Sequence, residues 1–256
     1  DVYKRQRMSR ARAALGVVRS LGIYYLGRRR HRAMDRLYGG FLGAGDLVFD
    51  VGSHVGDRIA SFRRLGARVV AVEPQAALAG TLRLLYGRDP SVVLVAAAVG
   101  RVAGETDLFL NLANPTVSTA SAAFVEAARG AAGWEGQVWD GRARVPQVTL
   151  DDLVGAHGEP VFVKLDIEGS EAQALAGLSH PVTALSFELT TIQRDVALAC
   201  LDECRRLGDY RFNAALGESQ RLVHGRWLHA AEMGQWVARL PHDANSGDIY
   251  ARLART

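Results

Sequence analysis

Between residues 46 and 190 the chain alternates short, wholly apolar runs with longer segments whose apolar positions recur every three or four residues. DLVFDVG (46–52), RVVAVEP (68–74), SVVLVAAAVG (91–100), PVFVKLD (160–166) and PVTALSFEL (181–189) are of the first kind and predict five strands. Strands that are apolar throughout have both faces covered, which indicates a parallel sheet between two helical layers. DRIASFRRLG (57–66), QAALAGTLRLLYG (75–87), TLDDLVGAHG (149–158), EGSEAQALAGL (168–178) and residues 193–207 predict the helices. Further on, YRFNAAL, a GES turn, QRLVHG and DIYARL (248–253) read as hairpin-type strands with a helical insertion near 229–240. Residues 101–146 fit this scheme poorly. They open with a strand pair at ETDLFLNL, pass through NPTVSTAS and include Trp134 and Trp139. An insertion of this length, around 111–146, is expected to be a lid or substrate wall.

A chain of 256 residues, 48% of them hydrophobic, holds one α/β domain and little more. No apolar run reaches about 18 residues, so no transmembrane helix is expected, nor is a signal peptide. Cys200 and Cys204 share one helix face without a nearby histidine, which suits core or surface thiols better than zinc and fits a reduced, cytoplasmic setting. The opening DVYKRQ is expected to be an adaptor-derived scar, with Met8 a candidate start. Lys164 then becomes the only native lysine beside 29 arginines.

Charge is uneven. Residues 1–36 hold eleven Lys/Arg and two acids, a net of +9 against +4 for the whole chain, leaving the remainder at −5. The division expected is a basic helical arm over 1–40 and a catalytic domain over 41–256. The arm is either a solvated helix or a contact for an anionic membrane surface. No aromatic or glycine pattern of a nucleic-acid reader accompanies it.

The first strand-to-helix turn reads DVGSHVGD, Asp50 to Asp57. Glycines there allow a ligand near the backbone, and a helix N-terminus offers free amides. The dinucleotide pattern G-x-G-x-x-G fails, because the position two after Gly52 is His54 and the next glycine is Gly56. Glu73 ends the second strand, where an acid can accept both ribose hydroxyls. Asp50, the glycines and Glu73 together suggest an adenosine-bearing cofactor without phosphates, S-adenosylmethionine.

DVGSHVG, AVEP, VTLDD (148–152) and KLDIEGSEAQALAG (164–177) stand in the order and spacing of the FkbM-type methyltransferases, which the chain resembles over most of residues 46–190. The resemblance implies the class I methyltransferase fold: a seven-stranded, mostly parallel sheet with one antiparallel strand near the C-terminus and helices on both faces. It implies S-adenosylmethionine as cofactor and O-methylation of a hydroxyl on a sugar, glycolipid or secondary metabolite. Ser53-His54 stands where the family usually shows Ala-Asn. The cofactor-binding residues expected are Asp50, Gly52, Ser53, His54, Gly56, Glu73, Pro74 and Ala97.

FVKLDIEGSEAQAL places Lys164 and Asp166 on one strand face, with Asp166 at the strand end where open α/β sheets bind ligands. Glu171 has an ordinary explanation as a first-turn acid favoured by the helix dipole. Asp166, Lys164 and Glu168 are the candidate catalytic residues, since a carboxylate or a neutral lysine can help a hydroxyl attack. Lys164 is open to two roles, structural partner of a strand-end acid or a direct contact with the acceptor. Asp166, Glu168 and Glu188 could converge on Mg²⁺, but spacing does not show convergence and methyl transfer from a sulfonium requires no metal, so none is expected. The acceptor expected is a small molecule or a glycan- or lipid-linked group. The competing classes are a catalytically silent S-adenosylmethionine-binding scaffold, a nicotinamide oxidoreductase and a nucleic-acid methyltransferase. The last lacks its usual base-pocket motif, since the fourth strand ends in LDIEG.

Overall fold

Every residue of the first strand, β1 (Leu47–Val51), is buried, as expected of a strand covered on both faces. In the computed structural model, which describes residues 15–25 and 28–254, β1 lies near the middle of a seven-stranded sheet. Two helices precede it, α1 (residues 15–25) and α2 (Arg28–Tyr38). After it come α3 (Asp57–Arg64), β2 (Arg68–Val72), α4 (Ala76–Tyr86) and β3 (Val92–Val95). An inserted unit follows: β4 (Ala98–Val99), β5 (Gly104–Leu110), a 3₁₀ turn (Pro115–Val117), α5 (Ala122–Ala128) and β6 (Gly141–Val148). The chain then forms α6 (Leu150–His157), β7 (Phe162–Leu165), α7 (Glu171–Ala176), β8 (Ala184–Thr190) and α8 (Arg194–Leu207). It ends in β9 (Tyr210–Leu216), α9 (Ala230–Arg239), a short 3₁₀ turn (His242–Ala244) and β10 (Ser246–Leu253).

The sheet order is β3-β2-β1-β7-β8-β10-β9. β10 runs antiparallel to both of its neighbours, and the other pairings are parallel. This is the architecture of the class I methyltransferases. One face, with Val48, Phe162 and Ala184, packs on Met34 and Tyr38 of α2 and on Ile59 and Phe62 of α3. The other, with Phe49, Val163 and Phe187, packs on α6 to α9. Cys200 and Cys204 lie inside this second layer as buried thiols. Thr149 and Asp152 form the reciprocal box that starts α6.

Several local expectations need correction. SVVLVAAAVG is two strands: it leaves the main sheet at its alanines, and β4 joins β6 and β5 in a separate three-stranded sheet. ETDLFLNL is a single strand whose partner is the unpredicted GRARVPQV. QRLVHG is not a strand; it crosses the edge of β9, touching it through Val223 N to Ala214 O (2.7 Å), before the Phe212–Leu228 bridge. β9 pairs instead with β10, along its whole length.

The described part of the basic segment is helical and packed. Val17 and Tyr24 of α1 meet Val55 and Leu78, and Met34 and Tyr38 are fully buried. The adaptor-like start, Lys4 and Met8 lie outside the described residues. No described helix is long and apolar enough to cross a membrane.

Candidate active site

At the end of β1 the chain turns at Gly52 with φ +83°, and a Cβ there would stand 1.8 Å from the carbonyl oxygen of Asp166. Only glycine lets the loop after β1 touch the loop after β7. The N–H groups of Gly52 and Ser53 both donate to Val72 O, which binds the turn to β2. His54, in the left-handed region at φ +49°, donates its N–H to Glu73 Oε2 at 3.0 Å. Gln75 donates its N–H to Glu73 Oε1 at 2.8 Å. Burial pushes the Glu73 carboxyl up to about 7 despite these two donors.

Glu73, Pro74 and Ala97 line a cleft of about 520 Å³, together with Gly52, His54 and Asp166. A second cleft of about 390 Å³ continues from it, sharing Gly52, His54, Thr116 and Asp166 and adding Ser53, Tyr24 and Arg58. Burial holds the His54 imidazole down to about 4, so near neutral pH it is an uncharged ring between the clefts. Its Nε2 lies 3.3 Å from Thr116 Oγ1, and the edge of the Tyr24 ring packs on it. Arg30 fixes this wall: it stacks over Tyr24 and pairs with Asp57 and Glu218, each at 3.0 Å.

Two predicted cofactor residues sit elsewhere. Asp50 lines neither cleft; strand alternation turns it onto the buried sheet face, directly across from Lys164. Neither of its carboxylate oxygens has a hydrogen-bond partner, and burial pushes the group up to about 7, with Lys164 opposing. Gly56, at φ +85°, opens α3, and a Cβ there would collide with Tyr86 and Leu82. The contacts seen there are with α4.

The loop after β7 gathers the acids. Lys164 Nζ donates to Asp166 Oδ2 at 3.0 Å and to Asp248 Oδ1 of β10 at 3.2 Å. Burial alone would raise Asp166, but Lys164 and then Arg58 outweigh it and hold the carboxyl below its ordinary value. Burial opposes the Lys164 charge too, and the two aspartates reverse that, raising its pKa well above the usual one. Glu171 accepts the N–H groups of Ile167 (2.9 Å) and Gly169 (3.0 Å) and so clamps the loop. That ties up residues 167–170, and α7 is correspondingly shorter than the apolar spacing predicts. Glu168 is 5% exposed, at φ +53°, and carries a buried Oε2 with no hydrogen-bond partner. Burial and then Asp166 raise its carboxyl well above the usual range; burial and then Glu168 do the same to Glu188. Carboxylate oxygens of Asp166, Glu168 and Glu188 all lie within 4.8 Å of one another.

The inserted unit forms the remaining wall. Thr119 Oγ1 donates to Glu168 O at 2.6 Å, and Phe124 packs against Gly169. Thr116, Thr119, Tyr24 and Arg58 were not singled out from the sequence. The NPTVSTAS run, small and polar inside an unassigned insertion, was the available signal for the first two.

The sequence pattern of the methyltransferase FkbM domain matches residues 50–202. Comparison with curated proteins returned no match. Among solved structures, precorrin-6y C5,15-methyltransferase from Geobacter metallireducens GS-15 aligns at 15% identity and a TM-score of 0.43, over 88% of this chain and 86% of its own. An O-methyltransferase from Bacillus cereus in complex with SAH aligns at 11% identity and a TM-score of 0.44, over 96% and 90%.

Proposed function

The chain belongs to the FkbM methyltransferase family, with S-adenosylmethionine as its cofactor, and we propose that it methylates a hydroxyl group on a sugar, glycolipid or secondary metabolite. One observation carries this reading: the cleft lined by Gly52, Glu73 and Ala97 is continuous with a second cleft, and Asp166, which belongs to the acid cluster, lines both. When bound, S-adenosylmethionine supplies a methyl carbon made electrophilic by its sulfonium. Glu73 suits the ribose hydroxyls, and Pro74 and Ala97 offer an apolar wall for the base. Lys164 keeps Asp166 ionised, which supports a role for Asp166 beside the cationic end of the cofactor and argues against it as a proton acceptor.

Proton acceptance falls to Glu168. Its unpartnered, buried Oε2 beside Asp166 suits a group that takes a hydroxyl proton. Lys164 acts through Asp166 as a positioning residue. The inserted unit, tied to Glu168 by Thr119, serves as the wall against which the acceptor is aligned. The test is incubation of the full chain with methyl-labelled S-adenosylmethionine and a fractionated extract of its source. Label is expected in an ether-linked methyl group of a polyhydroxylated or lipid-linked product. Label on nitrogen or carbon, or none at all, overturns the reading.

A further inference from the structure

Three carboxylates meet at the end of β7 and β8, and the cation nearest to them is already engaged. Lys164 divides its hydrogen bonds between Asp166 and Asp248. Glu168 and Glu188 face each other with no basic partner among the described residues, and each has a buried Oε2 without a hydrogen bond. The Glu168 side chain is almost wholly buried and its carboxylate points at the other two acids. Nearby, Gln193 presents a third buried oxygen without a donor, packed where a Cβ on Gly169 would stand. A buried anion without a countercharge is costly, and like charges at this distance add to that cost.

We propose that Asp166, Glu168 and Glu188 form a binding site for one divalent cation of the hard, oxygen-seeking class, Mg²⁺ or Mn²⁺. The donor set is all oxygen, with no histidine or cysteine, which selects this class over zinc. Such an ion takes oxygens at about 2.1 Å, so ligands on opposite sides stand about 4.2 Å apart. The present spread of up to 4.8 Å closes onto it by small side-chain rotations. Three protein oxygens leave about half of an octahedral shell free for water and for a substrate oxygen. The sequence reading expected no metal because spacing cannot show convergence; the fold supplies it by bringing Glu188 on β8 beside the loop after β7.

The use of the ion rests on the hydroxyl-methylation reading above. Bound next to Asp166, which lines the cleft, the cation holds the acceptor's hydroxyl oxygen and lowers its proton affinity. A carboxylate that ligates through one oxygen keeps its second oxygen free to receive that proton.

Binding is testable without any acceptor. Mn²⁺ titrated into the full chain in the presence of S-adenosylhomocysteine, and followed by electron paramagnetic resonance, is expected to fill one saturable site that Mg²⁺ competes for. Glu168→Gln and Glu188→Gln should each weaken Mn²⁺ at least tenfold. In chelator both variants should melt no lower than the parent, because the amide is never charged in this buried cluster and neither substitution breaks a hydrogen bond of the free Oε2. Absence of a saturable site, Mn²⁺ affinity unchanged in both variants, or lower melting of both in chelator overturns the proposal. Failure of methyl transfer with Mn²⁺ binding intact would instead count against the hydroxyl-methylation reading.

Discussion

Lys164 donates to Asp166, two residues further along its own strand with Nζ to Oδ2 at 3.0 Å, while Asp50, directly across from it on β1, receives no hydrogen bond. The lysine therefore serves the ligand end of the sheet. Lys164→Met leaves two aspartates beside a buried apolar stem, and a loss of about 3–5 kcal/mol is expected from breaking a buried pair on one side. Asp166→Asn keeps the Lys164–Asp248 contact, so the fold should survive while turnover drops by roughly 10²–10⁴. Melting temperature and turnover on the labelled acceptor separate the two effects. Near-parental turnover in Asp166→Asn would leave that carboxylate a structural partner of Lys164 and nothing more.

Glu73 offers a second test. Its two oxygens already organise the turn through His54 N and Gln75 N, so Glu73→Ala removes the proposed ribose acceptor together with the turn support. Affinity for S-adenosylhomocysteine should fall by about 1.5–3 kcal/mol, the range for hydrogen bonds to a charged group. Glu73→Gln keeps one acceptor and should lose less. Calorimetry giving equal affinity for parent and alanine variant would remove Glu73 from the site.

The buried acids make stability depend on pH with an unusual sign. Asp50, Glu73 and Glu171 are each pushed by burial up to about 7 from ordinary values of 3.8 and 4.5. In the folded chain they hold protons that the unfolded chain has released, so their contribution is full at low pH and is lost as pH rises through about 7. His54, held down to about 4, works the other way between 4 and its ordinary 6.5. Three groups against one give the net direction. The ligand-free chain should melt at a lower temperature at about pH 7.5 than at about pH 5.5, and Glu73→Gln should flatten part of that slope. Scanning calorimetry in matched buffers is the check, and a melting temperature that rises over this interval would contradict the burial of these carboxyls.

The basic segment calls for a deletion placed with care. Removing residues 1–36 would take away Met34, a fully buried core side chain, together with Arg30, which holds the wall of the second cleft. Removing residues 1–14 spares both. The full chain is expected to sediment with vesicles of anionic lipid at low salt and to be released at high salt, where screening shortens to a few ångströms. The shortened chain should sediment less. Equal pelleting of the two would reduce the excess positive charge to a property of solvated residues.

Much of this site is local in the sequence and was legible there. A glycine turn after a buried strand, an acid closing the next strand and an acid closing the fourth each follow from short-range pattern. Position 50 was not, because strand alternation alone sends its side chain beneath the turn that its neighbours form. The partner of ETDLFLNL lies some thirty residues beyond it, after a helix and two tryptophans, and no periodicity links them. Convergence of Glu188 with Glu168, and of Asp248 with Lys164, depends on strand order across the sheet. Apolar runs predict that strands exist; they do not rank them side by side.

The place of β10 has a consequence for the order in which this molecule can be made. It is the last of the described strands, yet it lies between β8 and β9, and it brings Asp248 to Lys164 across 84 residues of sequence. While a ribosome is still translating residue 240, β8 has an open edge, β9 has no neighbour in the sheet, and Lys164 has half of its countercharge. Closure of the sheet and electrical completion of the active site are therefore one late event. A chain interrupted shortly before that point should be captured by chaperones and not accumulate as a slightly shorter enzyme.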